Sequence, residues 1–184
     1  MSESKRLFFA VNIPEEVKGR IAKELLPLIP AADWGKVPQE NLHVTMLFLG
    51  HLPAEAIGKL REQAEALKNF RAFEAELRGI GQFNGRVLWL GVGKGESEFK
   101  GLCEKLQEAV GVRDPRFHPH ITLARNRGAG GKEAGALAEK MMQAHFSAKI
   151  SVKSVELMES ILRQPAPEYA PVFSAGLSAA ARQT

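Results

Sequence analysis

Two short segments of this chain read almost alike: His43-Val44-Thr45 and His120-Ile121-Thr122, 77 residues apart, each set inside an apolar run (LHVTMLFLG and FHPHITLAR). Apolar runs of this length, bounded by Gly and Pro, are read as strands. In a strand, side chains at i and i+2 share a face. Each histidine therefore shares a face with its threonine, while Leu42, Val44 and Met46 point the other way, as do Pro119, Ile121 and Leu123. Imidazoles and hydroxyls in an apolar strand cost free energy unless they are solvated or hydrogen-bonded. One such strand is ordinarily structural. Two at matching places constrain the fold, because the halves must be alike and the polar pairs must find a shared place to point.

The elements around the two copies repeat. Lys5–Ile13 is predicted as a buried strand, with Pro14 opening a helix to about Leu28. A strand over Leu42–Gly50 and a helix over Pro53–Asn69 follow. Phe70–Phe83 alternates as a strand, Asn84-Gly85 turns a hairpin into Arg86–Val92, and Glu96–Val110 is a long helix. The second copy continues with a strand over Phe117–Arg125, a Gly-rich loop over Arg127–Gly131 and a helix over Glu133–Ala144. A long strand over Phe146–Leu162, a last strand near Tyr169–Leu177 and a small polar tail complete the chain. In the first long strand the apolar phase runs Phe73, Ala75, Leu77 and then slips by three to Ile80. In the second it runs Ile150, Val152 and slips by three to Val155, as a bulge would cause. The slips lie 75 residues apart, close to the histidine spacing. Chance likeness among amphipathic strands is the competing reading. A duplication accounts for both offsets at once. The expected fold is α+β, with two pseudo-symmetric lobes, antiparallel-rich sheets flanked by helices, and a central cleft. No linker separates the halves, so residues 1–184 are read as a single domain.

Composition narrows the function. With 184 residues, 45% hydrophobic and 25% charged, the chain can bury a core without disulfides or structural metal. Cys103 is the only cysteine, which excludes an intramolecular disulfide and cysteine-based zinc motifs. No apolar run is long enough for a membrane helix, and the polar start leads straight into a strand, so a cytoplasmic protein without a secretory leader is expected. The net charge of +4, without a long basic run, suits a substrate carrying a few phosphates better than a long duplex.

Two imidazoles facing one cleft can act as base and acid at the same pH. Opening a cyclic phosphodiester requires a water to lose a proton while the departing sugar oxygen gains one, with the two oxygens roughly in line across phosphorus. Histidines related by a twofold suit those opposite sides. The Thr45 and Thr122 hydroxyls can donate to the non-bridging oxygens. No metal and no cofactor is needed. His118 completes an H-x-H that, with His43, would make a three-histidine metal site. Pro119 between the two and the lack of a well-placed carboxylate favour a supporting role instead. The glycines at 128–131 lack the Lys-Ser/Thr of a P-loop and are read as a flexible loop, Cys103 as inert, and His51 and His145 as solvent-facing.

HVTMLFLG and HPHITLAR, with RLFFAVNIP and RVLWLG, resemble the two-histidine (2H) phosphoesterase superfamily over essentially the whole chain. The likeness is to its RNA 2′,3′-cyclic phosphodiesterases, also described as 2′-5′ RNA ligases. The resemblance implies hydrolysis of the cyclic phosphate at an RNA end, or of a cyclic nucleotide, to a 2′-phosphomonoester. It makes His43 the proton donor to the leaving 3′-oxygen and His120 the proton acceptor that activates water; the near-symmetric motifs do not by themselves divide those roles. It also implicates Arg125 as a phosphate contact, although strict alternation puts Arg125 on the face opposite His120. Phe9 and Phe48 are candidates to stack on the terminal base, with a core role as the competing reading for each. Nothing is carried over for the last strands. Neither an obligate protein partner nor a membrane is expected, and the chain is read as a monomer. Two rivals remain open: 2′-5′ ligation of RNA in the same site, and a non-catalytic module that binds nucleotides or RNA ends.

Overall fold

The computed structural model describes residues 3–128, 130–164 and 166–179, which leaves Ala129 of the Gly-rich loop and the tail from residue 180 outside the description. The strands are β1 (Ser4–Asn12), β2 (Trp34–Lys36), β3 (His43–Pro53), β4 (Phe73–Phe83), β5 (Val87–Val92), β6 (His120–Asn126), β7 (Ser147–Val152), β8 (Ser154–Ile161) and β9 (Glu168–Gly176). The helices are α1 (Glu15–Glu24), α2 (Ala56–Ala64), α3 (Glu96–Val110) and α4 (Gly131–Met142). The expected elements are present, with shifted ends. The helix predicted to reach Leu28 stops at Glu24 and continues as a 3-10 turn over Leu26–Leu28 around Pro27. The helix predicted over 53–69 is shortened by β3, which runs on to Pro53, and by a 3-10 turn over Glu65–Asn69. Asn84 and Gly85 both take positive φ (49° and 67°), as a tight hairpin turn of this hand requires.

Among the described residues the nine strands form one sheet, in the order β7-β4-β5-β6-β3-β1-β8-β9 with β2 beside β6. The β3–β6 pair joins the two lobes edge to edge through Val44 and Ile121. Those two residues hold the same place in the two His-x-Thr copies. Ala75 likewise pairs with Ile150, its own mate at the 75-residue offset. A residue that pairs with its repeat-mate sits on the twofold, so the pseudo-symmetry axis passes through both pairs. The two phase slips are also real bends. In β4 the pairing with β5 skips between Leu77 and Ile80, at Gly79 with φ +79°. In the second copy the predicted long strand breaks at Lys153 into β7 and β8, which pair with opposite lobes. Each half of the chain thus ends in a strand that crosses to the other half's lobe.

Helices α2 and α3 pack together, α4 lies on β4, and α1 packs on the 3-10 turn Gln39–Asn41 just before β3. One face of the sheet builds the main core, with Leu7, Phe9, Val11, Val44, Met46, Ile121 and Leu123 almost fully enclosed. Burying a side chain of this size contributes about 1.5–3 kcal/mol. Among the described residues no helix is long and apolar enough to cross a membrane.

Candidate active site

β3 and β6 are antiparallel neighbours, and side chains of paired residues lie on one face of a sheet. Val44 and Ile121 are fully buried on the core face. Counting outward from that pair sets His43 across from Thr122 and Thr45 across from His120. All four side chains are partly exposed on the opposite face. The two histidines are diagonal neighbours, a relation that separates Cβ atoms by about 7–8 Å. The two rings are close enough for His120 to lower the pKa of His43.

The rings are held in one tautomer by the same device in both copies. His43 Nδ1 lies 2.7 Å from the carbonyl oxygen of Asn41, and His120 Nδ1 lies 2.7 Å from that of His118. A carbonyl only accepts, so each Nδ1 carries its hydrogen and donates. Each Nε2 then keeps a free lone pair in the neutral ring. At His43 the Thr45 hydroxyl sits 2.9 Å from Nε2 and donates to it. Burial pushes the His43 pKa down to about 4, against the Asn41 carbonyl, which raises it; Lys18, His120 and Arg125 add positive charge that lowers it further. His120 is also lowered, first by burial, then by His118 and Arg125, with the His118 carbonyl opposing. Both rings are therefore neutral near pH 7, with both Nε2 lone pairs on one face, that of His43 accepting from Thr45.

The backbone behind His43 is anchored on two sides. The Asn41 side chain donates to the carbonyl of Pro167 at 2.7 Å, which ties the β8–β9 loop to the turn. Buried Lys18, on α1, donates to the carbonyl of Glu40 at 3.2 Å while its charge meets Glu15 at 2.8 Å. Aromatic rings hold the imidazoles laterally. Tyr169 meets His43 edge-on at 5.3 Å and Phe8 lies 5.1 Å away. Phe83 meets His120 edge-on at 4.9 Å.

Strict alternation misplaces Arg125, and a β-bulge explains why. The pairing of β5 with β6 runs Trp89 to Thr122 and then Leu88 to Ala124, skipping Leu123. Leu123 and Ala124 are consecutively buried, and Arg125 returns to the face of Thr122. β3 repeats the device: its pairing with β1 runs Ala10 to Thr45 and then Phe9 to Leu47, skipping Met46. That bulge brings Phe48 to the face of Thr45. Phe48 and Arg125 thus hold the same place in the two copies, each five residues after its histidine. Phe48 is 48% exposed, stacked 5.6 Å from Phe8, with the Arg6 guanidinium 4.9 Å from its ring centre.

The Phe9 expectation is corrected. Phe9 is 0% exposed on the core face with its ring against Phe173, so it cannot reach a base. Its neighbour Phe8 occupies the site face instead. Sequence reasoning also passed over Tyr169, Phe83 and Trp89, while for His118 it expected a supporting role. The His118 carbonyl orients His120 while the His118 ring packs 5.1 Å from Trp89. His118 and His120 are near-parallel at 6.3 Å. Among the described residues no group of three or more His, Cys, Asp or Glu side chains is gathered to hold a metal ion. Cys103 lies behind β3, buried, its thiol donating to the Met46 carbonyl and pushed up to about 11 by burial. His51 and His145 are exposed. A cavity of about 150 Å³ opens beside His120, lined by Thr45, Phe48, Phe83 and Arg116. A second, of about 330 Å³, opens beside Tyr169, lined by Asn41, Arg163 and Glu168.

A family model described as the 2′-5′ RNA ligase superfamily matches residues 14–162. The chain belongs to the 2′-5′ RNA ligase superfamily. Among its relatives, an RNA 2′,3′-cyclic phosphodiesterase of Thermus thermophilus is 34% identical over 178 residues, covering 89% of this chain and 86% of the relative. One of Archaeoglobus fulgidus is 30% identical over 172 residues, covering 89% and 96%. In three dimensions the fold matches Escherichia coli LigT crystallised with phosphate, at a TM-score of 0.75 and 27% identity over 96% of this chain and 99% of that one. Thermus thermophilus TT0787 matches at 0.75 and 28%, over 95% and 98%. Within this superfamily fold, one face of β3 and β6 carries His43, Thr45, His120 and Thr122 together.

Proposed function

We propose that this protein hydrolyses the 2′,3′-cyclic phosphodiester at RNA ends to a 2′-phosphomonoester, by metal-independent acid–base catalysis between His43 and His120. The observation that carries this reading is the pair of Nδ1-locked imidazoles whose Nε2 atoms share one face, diagonal across the Val44–Ile121 pair. Water attacks phosphorus and gives its proton to His120 Nε2. The bond from phosphorus to the 3′-oxygen breaks, and that oxygen takes a proton from His43 Nε2. The product carries a 2′-phosphate and a 3′-hydroxyl, and solvent exchange returns each histidine to its starting state. Each proton transfer contributes about 10²–10⁴-fold. Protonation of His43 Nε2 frees the Thr45 hydroxyl, so Thr45 and Thr122 donate to the non-bridging oxygens, and the Arg125 guanidinium balances their charge.

His43 takes up its proton from solvent, and binding favours the uptake. In the free enzyme that ring resists protonation because it is buried beside Lys18, His120 and Arg125. A phosphate anion seated between the rings opposes those cations and favours the imidazolium. Relatives named RNA 2′,3′-cyclic phosphodiesterase support the substrate class. The exchange of strands between lobes supports one domain acting as a unit, and an RNA-end activity fits a cytoplasmic enzyme. The test is incubation with a cyclic-phosphate-ended RNA in EDTA, followed by identification of the phosphate position. A 2′-phosphate is expected; an unchanged end or a 3′-phosphate overturns the reading. The superfamily's description also raises ligation, which needs a 5′-hydroxyl strand in place of water and would lengthen the RNA.

A further inference from the structure

Past the bulge at Leu123, the chain carries a second arginine that the proposed reaction does not use. β2 pairs Gly35 with Arg125, so a side chain at position 35 would share the face of Arg125, Thr122 and His120. Position 35 has no side chain, and the space is filled by the Arg127 guanidinium. A Cβ on Gly35 would lie 2.5 Å from Arg127 Nε and 2.8 Å from its Cζ and Nη2. The glycine thus lets Arg127 lie flat against β2 on the site face. Neighbouring strands are about 5 Å apart, so this guanidinium sits roughly one strand spacing beyond Arg125.

No carboxylate among the described residues neutralises it. Arg127 is exposed, and among the described residues neither Arg125 nor Arg127 makes an ion pair with a carboxylate. The neighbouring acid, Asp33, meets Arg127 through its backbone carbonyl, which accepts the Arg127 amide at 2.7 Å. The chain therefore lays two unpaired guanidinium groups in file, leading away from the histidines along one face. Arg125 shares the face of Thr122 and lowers the pKa of both histidines, which suits it to the reacting phosphate of the proposed reaction. Arg127 is one step further out. A strand of nucleic acid offers phosphates in just such a file, and a basic track is how proteins hold a single-stranded backbone.

We infer that Arg127 binds the phosphodiester that joins the terminal nucleotide to the preceding one, so that the substrate is an oligonucleotide end rather than a cyclic mononucleotide. This rests on the proposed function and adds a residue that holds the RNA chain behind the reacting end. The experiment compares kcat/KM on a 2′,3′-cyclic mononucleotide with kcat/KM on a trinucleotide ending in the same cyclic phosphate. The wild type favours the trinucleotide. In Arg127→Ala the trinucleotide-to-mononucleotide ratio falls by about tenfold, the scale of one hydrogen bond to a charged group. Arg127→Lys restores a large part of it. The slope of log kcat/KM against log salt for the trinucleotide becomes shallower in Arg127→Ala by about 0.7, as expected for one lost contact to a single strand. An unchanged ratio, or an equal loss on both substrates, overturns the inference. If the wild type turns over both substrates equally well, the inference falls and the proposed function stands. If it turns over neither, the proposed function falls and takes the inference with it.

Discussion

The optimum of kcat/KM should lie on the acid side of pH 6.5, and the geometry of the two imidazoles sets how far. In the proposed mechanism the productive free enzyme carries one proton, on His43, with His120 neutral. Burial and neighbouring cations hold the His43 pKa at about 4 and lower that of His120 as well. Near pH 7 the free enzyme thus has a protonated His43 in about one molecule in a thousand. The pair titrates with two macroscopic values, both below the ordinary 6.5 of histidine. Above the higher of them, each pH unit lowers the productive fraction, and with it kcat/KM, about tenfold. Once substrate is bound, its phosphate anion favours the His43 imidazolium, so the optimum of kcat moves to higher pH than that of kcat/KM. Initial rates on a 2′,3′-cyclic nucleotide from about pH 4.5 to about pH 8.5 separate the two profiles. A kcat/KM optimum at or above neutrality, coincident with that of kcat, would refute the reasoning.

The same depressed pKa predicts acid lability. A group whose pKa is lowered on folding contributes stability above its unfolded value of about 6.5 that is lost as pH falls toward 4, so His43 costs about 2 kcal/mol at about pH 5, read as the change in urea unfolding free energy from neutrality. In His43→Ala that increment is absent. Asn41→Ala frees the β8–β9 loop from the turn that orients His43; kcat is expected to fall about tenfold with a smaller change in KM, and Asn41→Asp, which removes the donor, should not restore it. Hydrolysis should proceed undiminished in EDTA, and inhibition reversed by added zinc would replace the acid–base reading with a metal-centred one.

The chemistry was more legible than the surface around it. The His-x-Thr pairs could be read because period-two alternation holds through Thr45 and Thr122, and the bends at Gly79 and Lys153 showed as slips of phase. The alternation fails one residue later. The bulges at Met46 and Leu123 have no local marker, since neither residue is a glycine, yet they decide that Phe48 and Arg125 face the site. Phe8 and Phe9 are adjacent, equally apolar and both enclosed by a sheet that buries residues on each face, so hydrophobicity alone cannot set the phase of β1. Tyr169 reaches His43 through the pairing of Ser160 with Tyr169 between two strands that the sequence gives no reason to align. The shared sheet depends on a pairing between residues far apart in the chain, which only the folded protein reveals.

The proposed mechanism requires the His43 and His120 nitrogens to act as a unit across one phosphorus, and a double-mutant cycle on kcat/KM for a cyclic-phosphate-ended RNA measures that directly. His43→Ala and His120→Ala should each lose at least about 10²-fold. The double variant should be little worse than the poorer single one, because either loss alone disables the same step. Near-wild-type turnover in either single variant, or losses that simply multiply in the double, would contradict a shared site.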